Sequence, residues 1–363
     1  MTRKLYGMGF AAALLAVGSG GLAIAQTSCA RPPIAHGQIA GAPPRVSVLT
    51  YNVHGLPWLA ASTDRADDLR AIGSRLAALH RSGNAPQITV IQEAFTQQAR
   101  LLATTSGYRY AAFGPGEKVT TTASITPALA LDLDLGAHWW KGEGLGKWEG
   151  SGLMLLSDYP IVRVRRMSFS PAACAGFDCL AAKGALLAEI DLPGGRRIEI
   201  ATAHLNSRHA SGVSSARSNR AWSIEVDQLI QFVATQRDPG LPLILAGDFN
   251  VGKDLQRQGA FARIAQTLDP TASDGLRSLV RSGAVLDADA AIELNRGKDW
   301  EIALAGGTQR LNPETVSVPF GRNGGMPLSD HLGYAINFSL DCDNSGMIRN
   351  ERIDSQPAKA FTL

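Results

Sequence analysis

Leu241-Pro-Leu-Ile-Leu-Ala-Gly-Asp-Phe-Asn250 is an apolar run of strand length that ends in a carboxylate, an aromatic and a carboxamide. A run of this kind reads as a buried strand of a layered α/β protein. Side chains alternate along a strand, so Asp248 and Asn250 share one face and Phe249 takes the other, while Gly247 admits a close backbone neighbour. Other strand-like segments end in the same chemistry: Asn52, Glu93, His204, and Asp330 with His331. Each has an ordinary reading alone, as turn residue, helix cap or satisfied strand histidine. Their repetition at strand ends points to a ligand site, because open α/β sheets bind ligands at that edge.

The set has the logic of one reaction. Oxygen donors without thiolates suit a hard cation such as Mg²⁺ or Mn²⁺, and such sites favour phosphate substrates. Two histidines with carboxylate neighbours move protons near neutral pH. No Ser or Cys nucleophile motif of the G-x-S-x-G kind occurs. Acid–base groups supply only about 10²–10⁴-fold acceleration, and phosphate-ester hydrolysis demands on the order of 10¹⁷-fold or more. A metal and fixed donors must supply the rest.

The elements that must position these groups follow from periodicity. Strands are expected at Val46–Val53, running into the turn His54-Gly-Leu-Pro57, and at Ile88–Glu93, Tyr108–Phe113, Ala185–Leu192 with Arg197–Ala203, and 300–305. Ser151–Leu156 and Ile161–Met167 read as a strand pair across Ser157-Asp-Tyr-Pro160, and Leu328–Phe338 enters the last strand. Leu69, Ile72, Leu76 and Leu79 form the apolar stripe of a helix over Ser62–Arg81, capped by Ser62 or Thr63. Further helices are expected to about Ser106, over Arg217–Val233, and in pieces across 256–281. Residues 114–150 are the least regular, with His138-Trp-Trp-Lys141 and Lys147-Trp148. Gly142, Gly144 and Gly146 there do not make a nucleotide loop, since no strand precedes them and no helix follows.

The chain has 363 residues, 45% hydrophobic and 18% charged, without internal repeat or dividing linker. Residues 1–25 read as a secretory signal: Arg3 and Lys4, an apolar stretch Met8–Val17, and Ala23-Ile-Ala25 before Gln26. Glycines at 18, 20 and 21 cut that stretch short of the ~20 residues a membrane span needs. A lipid-attached Cys29 is the weaker alternative, because Gln26 stands where a lipoprotein signal carries leucine. Removing the signal takes two of the formal +3 charges, so net charge argues for neither nucleic acid nor an anionic membrane. The organisation expected is a signal at 1–25, a Pro/Ala-rich leader at 26–45, one domain at 46–342 and a polar tail at 343–363, secreted or periplasmic. Export suits disulfides, and the pairing expected is Cys174–Cys179 as a local loop and Cys29–Cys342 joining the domain ends. No Cys or His pairs have zinc-ligand spacing.

Thr50-Tyr-Asn-Val53, Gln92-Glu93, Thr202-Ala-His204, Gly247-Asp-Phe-Asn250 and Ser329-Asp-His331 resemble, in order and spacing, the signature segments of the endonuclease/exonuclease/phosphatase superfamily. The resemblance spans about residues 46–340. It implies a deoxyribonuclease I-like α/β (α+β) four-layer sandwich, with two packed mixed sheets flanked by helices, and a metal-dependent phosphodiesterase. It further implies that Glu93 with Asn52 holds the divalent cation, with Asp330 beside it. Asp248 and Asn250 orient water and phosphate, His331 acts as general base or phosphate ligand, and His204 stabilises the phosphate or the leaving oxygen. The family's Asp-aromatic pair, whose carboxylate supports the last histidine, matches Asp299-Trp300, although polar Glu301 follows where an apolar residue is usual. Asn52-Val-His-Gly-Leu-Pro57 and Lys183-Gly184 resemble the sphingomyelinase-like members, which implies a phospholipid head group as substrate. Trp139 and Trp140 then read either as an interfacial anchor or as a flap over the core. A secreted nuclease is the rival enzyme, with Arg163, Arg165 and Arg166 as a phosphate track or merely a solvated strand face. A catalytically silent binding module on the same fold is the alternative of another class.

Overall fold

The computed structural model describes residues 44–342, apart from 58–64, 120–125, 128–130, 132–134 and 323–324. The expected signal, tail, Cys29, the helix cap at Ser62 or Thr63, and the leader up to residue 43 lie outside the described residues, and Arg45, expected to end the leader, already opens the first strand.

Twelve strands among the described residues form two six-stranded mixed sheets. The first holds β1 (Arg45–Gly55), β2 (Ile88–Ala94), β3 (Tyr110–Phe113), β4 (Met154–Ser157), β11 (Gln309–Ser317) and β12 (Tyr334–Cys342). The second holds β5 (Ile161–Ser168), β6 (Gly184–Leu192), β7 (Arg196–His204), β8 (Leu243–Asp248), β9 (Ser273–Asp274) and β10 (Asp299–Leu304). Each sheet has a central parallel pair, β1 with β2 and β7 with β8, and its other pairings are antiparallel.

Three apolar clusters correspond to the three interfaces of a four-layer sandwich. Val46 and Val48 of β1 meet Ile244 and Ala246 of β8 between the sheets. The alternate residues Leu49, Tyr51 and Val53 pack outward on Leu69, Ile72 and Leu76 of helix Ala66–Arg81. Behind the second sheet, Leu243, Leu245 and Phe249 pack on Trp222 of helix Ser215–Gln236 and Phe261 of helix Leu255–Leu268. The period of two along each strand therefore assigns every second side chain to the inter-sheet space. At ~25 cal/mol per Å² of apolar area, burial on both faces makes the central strands the most strongly held part of the fold. Gly247 is required for closeness, since a Cβ there would lie 2.3 Å from the Ala203 carbonyl oxygen of β7.

The structure corrects the sequence reading at several places. β4 and β5 do not pair with each other. The turn between them crosses from one sheet to the other, so β4 lies between β2 and β3, and β5 pairs only with β6. β11 was not expected, because Pro313 and a polar sequence conceal an edge strand with a register shift. A helix at Ala288–Arg296, capped by Asp287, also went unpredicted. The last strand begins at Tyr334, after an irregular segment that carries Asp330 and His331. Cys174 and Cys179 are bonded to each other. Cys342 is disulfide-bonded. No helix among the described residues is long and apolar enough to cross a membrane.

Candidate active site

Register places three of the polar residues in one row. His204 of β7 is opposite Asp248 of β8, and Asp248 is opposite Asp299 of β10. Inner-face side chains of the first sheet close on this row. The Asn52 amide nitrogen donates to Glu93 Oε1 at 2.9 Å and, across the sheets, to Asp248 Oδ2 at 3.1 Å. His331 completes the cluster from the segment before β12. Its Nδ1 lies 2.6 Å from Asp299 Oδ2 and its Nε2 lies 3.6 Å from Asp248 Oδ2. His204 Nε2 is 3.7 Å from the same Asp248 oxygen and 3.8 Å from Glu93 Oε1. Asp248 is thus the hub, 83 residues from His331 in sequence (331 − 248) and brought to it by the fold alone.

Three strand exits share a second feature. His54, Glu93 and Asn250 have φ of 51°, 60° and 50°, the only non-glycine residues with positive φ among those described. Such a conformation costs about 1–3 kcal/mol per residue and persists where its surroundings over-determine it. Here it turns the chain sharply as β1, β2 and β8 end. The turn at Asn250 breaks the simple alternation expected for 248–250. Phe249 is in the outer core as expected, while the Asn250 backbone N–H donates to Asp248 Oδ1 at 3.0 Å and its side chain to the Leu205 carbonyl at 2.9 Å.

Burial sets the charge states, against different neighbours. For His204, burial lowers the pKa to about 3 and the Lys183 cation acts in the same direction, so the imidazole is neutral. Its Nε2 faces two carboxylates, which fixes the proton there. For His331, burial also lowers the pKa, but Asp299 and Asp248 outweigh it and raise the value to about 9, so this imidazole carries the charge. Burial raises Asp248, yet the two histidines and Lys298 outweigh that and hold it ionised, below the usual carboxylate range. Glu93 moves the other way, to about 7, because burial exceeds the help from Asn52.

A divalent cation fits this donor set. Asp248, Asp299 and His331 each offer an atom within 4.8 Å of the others. Asp299 and His331, however, already satisfy each other through a short hydrogen bond, which reads as a carboxylate orienting an imidazole. Glu93 is the better cation ligand: a half-buried carboxylate whose hydrogen bond is to an amide rather than to a charged group, and a cation there would keep it ionised. Asn52 turns its nitrogen to the carboxylates and its oxygen to the His54 N–H at 3.0 Å. Reversing that amide would present oxygen to a cation. Asp330 stands apart at the rim, its side chain 55% exposed and 3.5 Å from His54 Nδ1.

Several further residues support the site. Ser329 Oγ ties the final segment to the Asn52 carbonyl at 2.7 Å. Glu293 accepts the Leu332 N–H at 3.0 Å behind His331. His54 belongs to the Asn52–Pro57 segment, and Lys298, whose cation acts on Asp248, precedes the Asp299-Trp300 pair. Arg163, Arg165 and Arg166 lie on β5, at the far edge of the second sheet. Arg165 pairs with Glu199 at 3.1 Å, and Arg166 donates to the Phe113 carbonyl at 2.6 Å. They form no track at the site.

Two sheets with a polar cluster at their shared edge define a deoxyribonuclease I-like phosphoesterase fold. The family model described as the Endonuclease/Exonuclease/phosphatase family matches residues 49–328, and the chain belongs to that family of metal-dependent phosphodiester hydrolases. It is similar to the sphingomyelinases of Mycobacterium bovis and Mycobacterium tuberculosis, 28% identical over 222 residues. That stretch is 61% of this chain and 36% of theirs, so the match spans little more than a third of those relatives. Among solved structures, a Staphylococcus aureus beta toxin mutant with bound magnesium ions superposes over 82% of this chain and 99% of its own, with TM-score 0.51 and 14% identity. D. rerio TDP2 complexed with single strand DNA product superposes over 81% and 99%, with TM-score 0.52 and 15% identity. Both show the fold.

Proposed function

We propose that the protein is a secreted phosphodiesterase that hydrolyses a phospholipid head group in the manner of a sphingomyelinase C, by direct attack of water on phosphorus. The observation that carries the reaction is the row His204–Asp248–Asp299 with His331 closing it. The lipid reading is supported by the similarity to sphingomyelinases and by exposed aromatics beside the disulfide loop. Residues 1–25 and the Cys174–Cys179 disulfide suit export to an oxidising compartment.

Glu93, with Asn52 after its amide reverses, would hold Mg²⁺ or Mn²⁺, and a cation so held neutralises charge on phosphate oxygens. The other roles belong to the chain's own groups. Ionised Asp248 accepts a hydrogen bond from the attacking water and takes its proton as the new P–O bond forms. His331, the charged imidazole, gives its Nε2 proton to the leaving oxygen as the old P–O bond breaks, while Asp299 holds its ring. Proton return from Asp248 to His331 across the 3.6 Å between them resets the site. Neutral His204 contributes a hydrogen bond through Nε2–H. The charge states therefore favour His331 as proton donor over its alternative role as base.

We place the loop that carries Trp139, Trp140 and Trp148 at the rim of the site, where it suits a membrane surface. Trp139 and Trp140, which stack edge to face at 5.9 Å, are 66% and 58% exposed, and Trp148 is 60% exposed. Such exposure is at odds with a core-covering flap, and tryptophan favours the bilayer boundary. Buried Glu143 holds this loop in place by accepting the N–H groups of His138 (2.5 Å) and Gly176 (2.7 Å) and the Arg217 Nε (2.8 Å). The test offers purified protein and Mg²⁺ to sphingomyelin vesicles, plasmid DNA and a soluble inositol phosphate in parallel. Phosphocholine release without DNA nicking is expected. Nicking without phosphocholine release would instead establish the nuclease, and inertness towards all three the silent binding module.

A further inference from the structure

Arg257 is among the largest fully buried side chains of the molecule. It sits in the first turn of helix Leu255–Leu268, and its guanidinium reaches the back of the site. Nε donates to Asn219 Oδ1 at 2.7 Å, and one terminal nitrogen donates to two carbonyls, Asn206 at 2.9 Å and Asn250 at 2.7 Å. The other terminal nitrogen lies 3.5 Å from Ser218 Oγ, and the group stacks over Trp222 at 5.1 Å. All these acceptors are neutral. Among the described residues no carboxylate pairs with Arg257 directly, and the Asp254 carboxylate caps the helix instead.

A buried cation whose hydrogen bonds all go to neutral acceptors is expensive, and the nearby Glu225 and Asp254 carboxylates offset only part of the burial, which still lowers its pKa. An apolar side chain of similar volume would fill the space without that cost. What the guanidinium adds is geometry, because one terminal nitrogen holds two carbonyls at once while Nε, held by Asn219, fixes the plane of the group. One belongs to Asn206, two residues beyond His204, and the other to Asn250, two residues beyond Asp248. Trp222 Nε1 takes the intervening Phe249 carbonyl at 2.7 Å. Both carbonyls that follow Asp248 are therefore held from behind.

We propose that Arg257 is a positioning residue for the reaction: it holds Asn250 in its left-handed conformation and thereby orients the Asp248 carboxylate. The path is continuous. Arg257 fixes the Asn250 carbonyl, the backbone at Asn250 stays at φ 50°, and its N–H stays on Asp248 Oδ1 at 3.0 Å. The Asn250 side chain, bonded to the Leu205 carbonyl, ties the same turn to the exit of β7. Without the clamp the turn relaxes to a less strained conformation, and Asp248 loses a donor that sets its rotation. Misplacement of about 1 Å in such a group costs on the order of 10²-fold in rate. Glu93 is on the other sheet and keeps its place.

The proposal rests on the reaction proposed above, and the test separates the two. Arg257→Met and Arg257→Lys are made in the full chain and assayed on bis(4-nitrophenyl) phosphate, a soluble diester that needs no membrane. Both are expected to melt cooperatively with kcat down about 10- to 100-fold, while KM and the half-saturating Mg²⁺ concentration stay within about threefold. Arg257→Lys, which retains a donor, recovers part of the loss. Hydrogen exchange is measured alongside, and amides 249–252 are expected to lose protection while those of β7 and β8 keep theirs. Unchanged kcat in a folded variant, a loss confined to KM, or unchanged protection at 249–252 would each overturn the clamp. Should Arg257→Met not fold, Arg257→Lys decides by the same measurements. A wild type inactive on every diester sinks the functional reading, while the exchange pattern still tests the clamp.

Discussion

The floor of the site and its rim are built in opposite ways. On the floor, His204, Asp248, Asp299 and His331 are each buried to 4% exposure or less, and strand register places the first three in one row. On the rim, Trp139, Trp140 and Trp148 present more than half their surface to solvent from a short turn and its flanking loop. The floor's positions are over-determined, since moving one group disturbs two sheets. The rim depends on a few contacts, chiefly those of Glu143. Chemistry that must be placed within a fraction of an ångström belongs on the floor, and contacts that adapt to a substrate belong on the rim.

That division is tested most severely on the floor. Replacing Asp248 or His331 by alanine is expected to lower kcat by about 10³–10⁴-fold, with far-UV circular dichroism unchanged. Both residues serve one transition state, so the double variant is expected to be little worse than the poorer single one. Additive losses measured in steady-state kinetics would separate their roles.

Glu93→Gln keeps shape and removes charge. Turnover is expected to fall about 10²-fold, with the Mg²⁺ titration shifted to higher concentration by at least tenfold. Isothermal titration with Mg²⁺ or Mn²⁺ reads the affinity directly. Undiminished hydrolysis by this variant in the presence of chelator would sink the metal assignment, whereas an unshifted Mg²⁺ titration with activity still chelator-sensitive would move the cation from Glu93 to the Asp248–Asp299–His331 group.

On the rim the expectation is smaller and selective. Trp139→Ala with Trp140→Ala is expected to lower hydrolysis of sphingomyelin vesicles about tenfold, from loss of interfacial contact, and to leave a soluble diester unaffected. Glu143→Gln, which weakens the pin without touching an aromatic, is expected to show the same selectivity to a lesser degree. Equal losses on both substrates would mean that rim and floor are one unit.

The contrast also explains what was legible in the sequence. Asp248, His204 and Glu93 were readable because a strand that ends in a charge violates the composition of its own run. The runs themselves gave a layered α/β protein, and the four-layer sandwich followed from the family resemblance. Arg257 was not readable, since an arginine in the first turn of an amphipathic helix looks like a solvated residue until three dimensions place two carbonyls on it. The separation of β4 and β5 was hidden for a similar reason. A short turn between strands signals a hairpin locally, and only the apolar faces on both sides show that the chain has changed sheets. Edge strand β11 gave too little hydrophobic alternation to be seen around Pro313. Asp299 was accessible only through resemblance, because Glu301 spoiled the apolar pattern after it.

The smallest expected effect on turnover, and the one that reports on the scaffold beneath the rim, concerns Glu225. This residue of helix Ser215–Gln236 is fully buried, and one carboxyl oxygen accepts the Asn206 N–H at 2.5 Å. Burial raises its pKa from 4.5 to about 8, against the opposing pull of Lys183 and that N–H. A group whose folded pKa exceeds its unfolded value stabilises fully below the unfolded value and loses that contribution as pH rises through the folded one. The wild type is therefore expected to lose stability between pH 4.5 and about 8, by on the order of 1–3 kcal/mol. Glu225→Gln keeps an acceptor for Asn206 and removes the titration, so its urea midpoint should vary less across the same window, with kcat on a soluble diester within about twofold. Parallel stability curves for the two proteins would show that Glu225 is ionised in the fold and that Lys183 governs its charge.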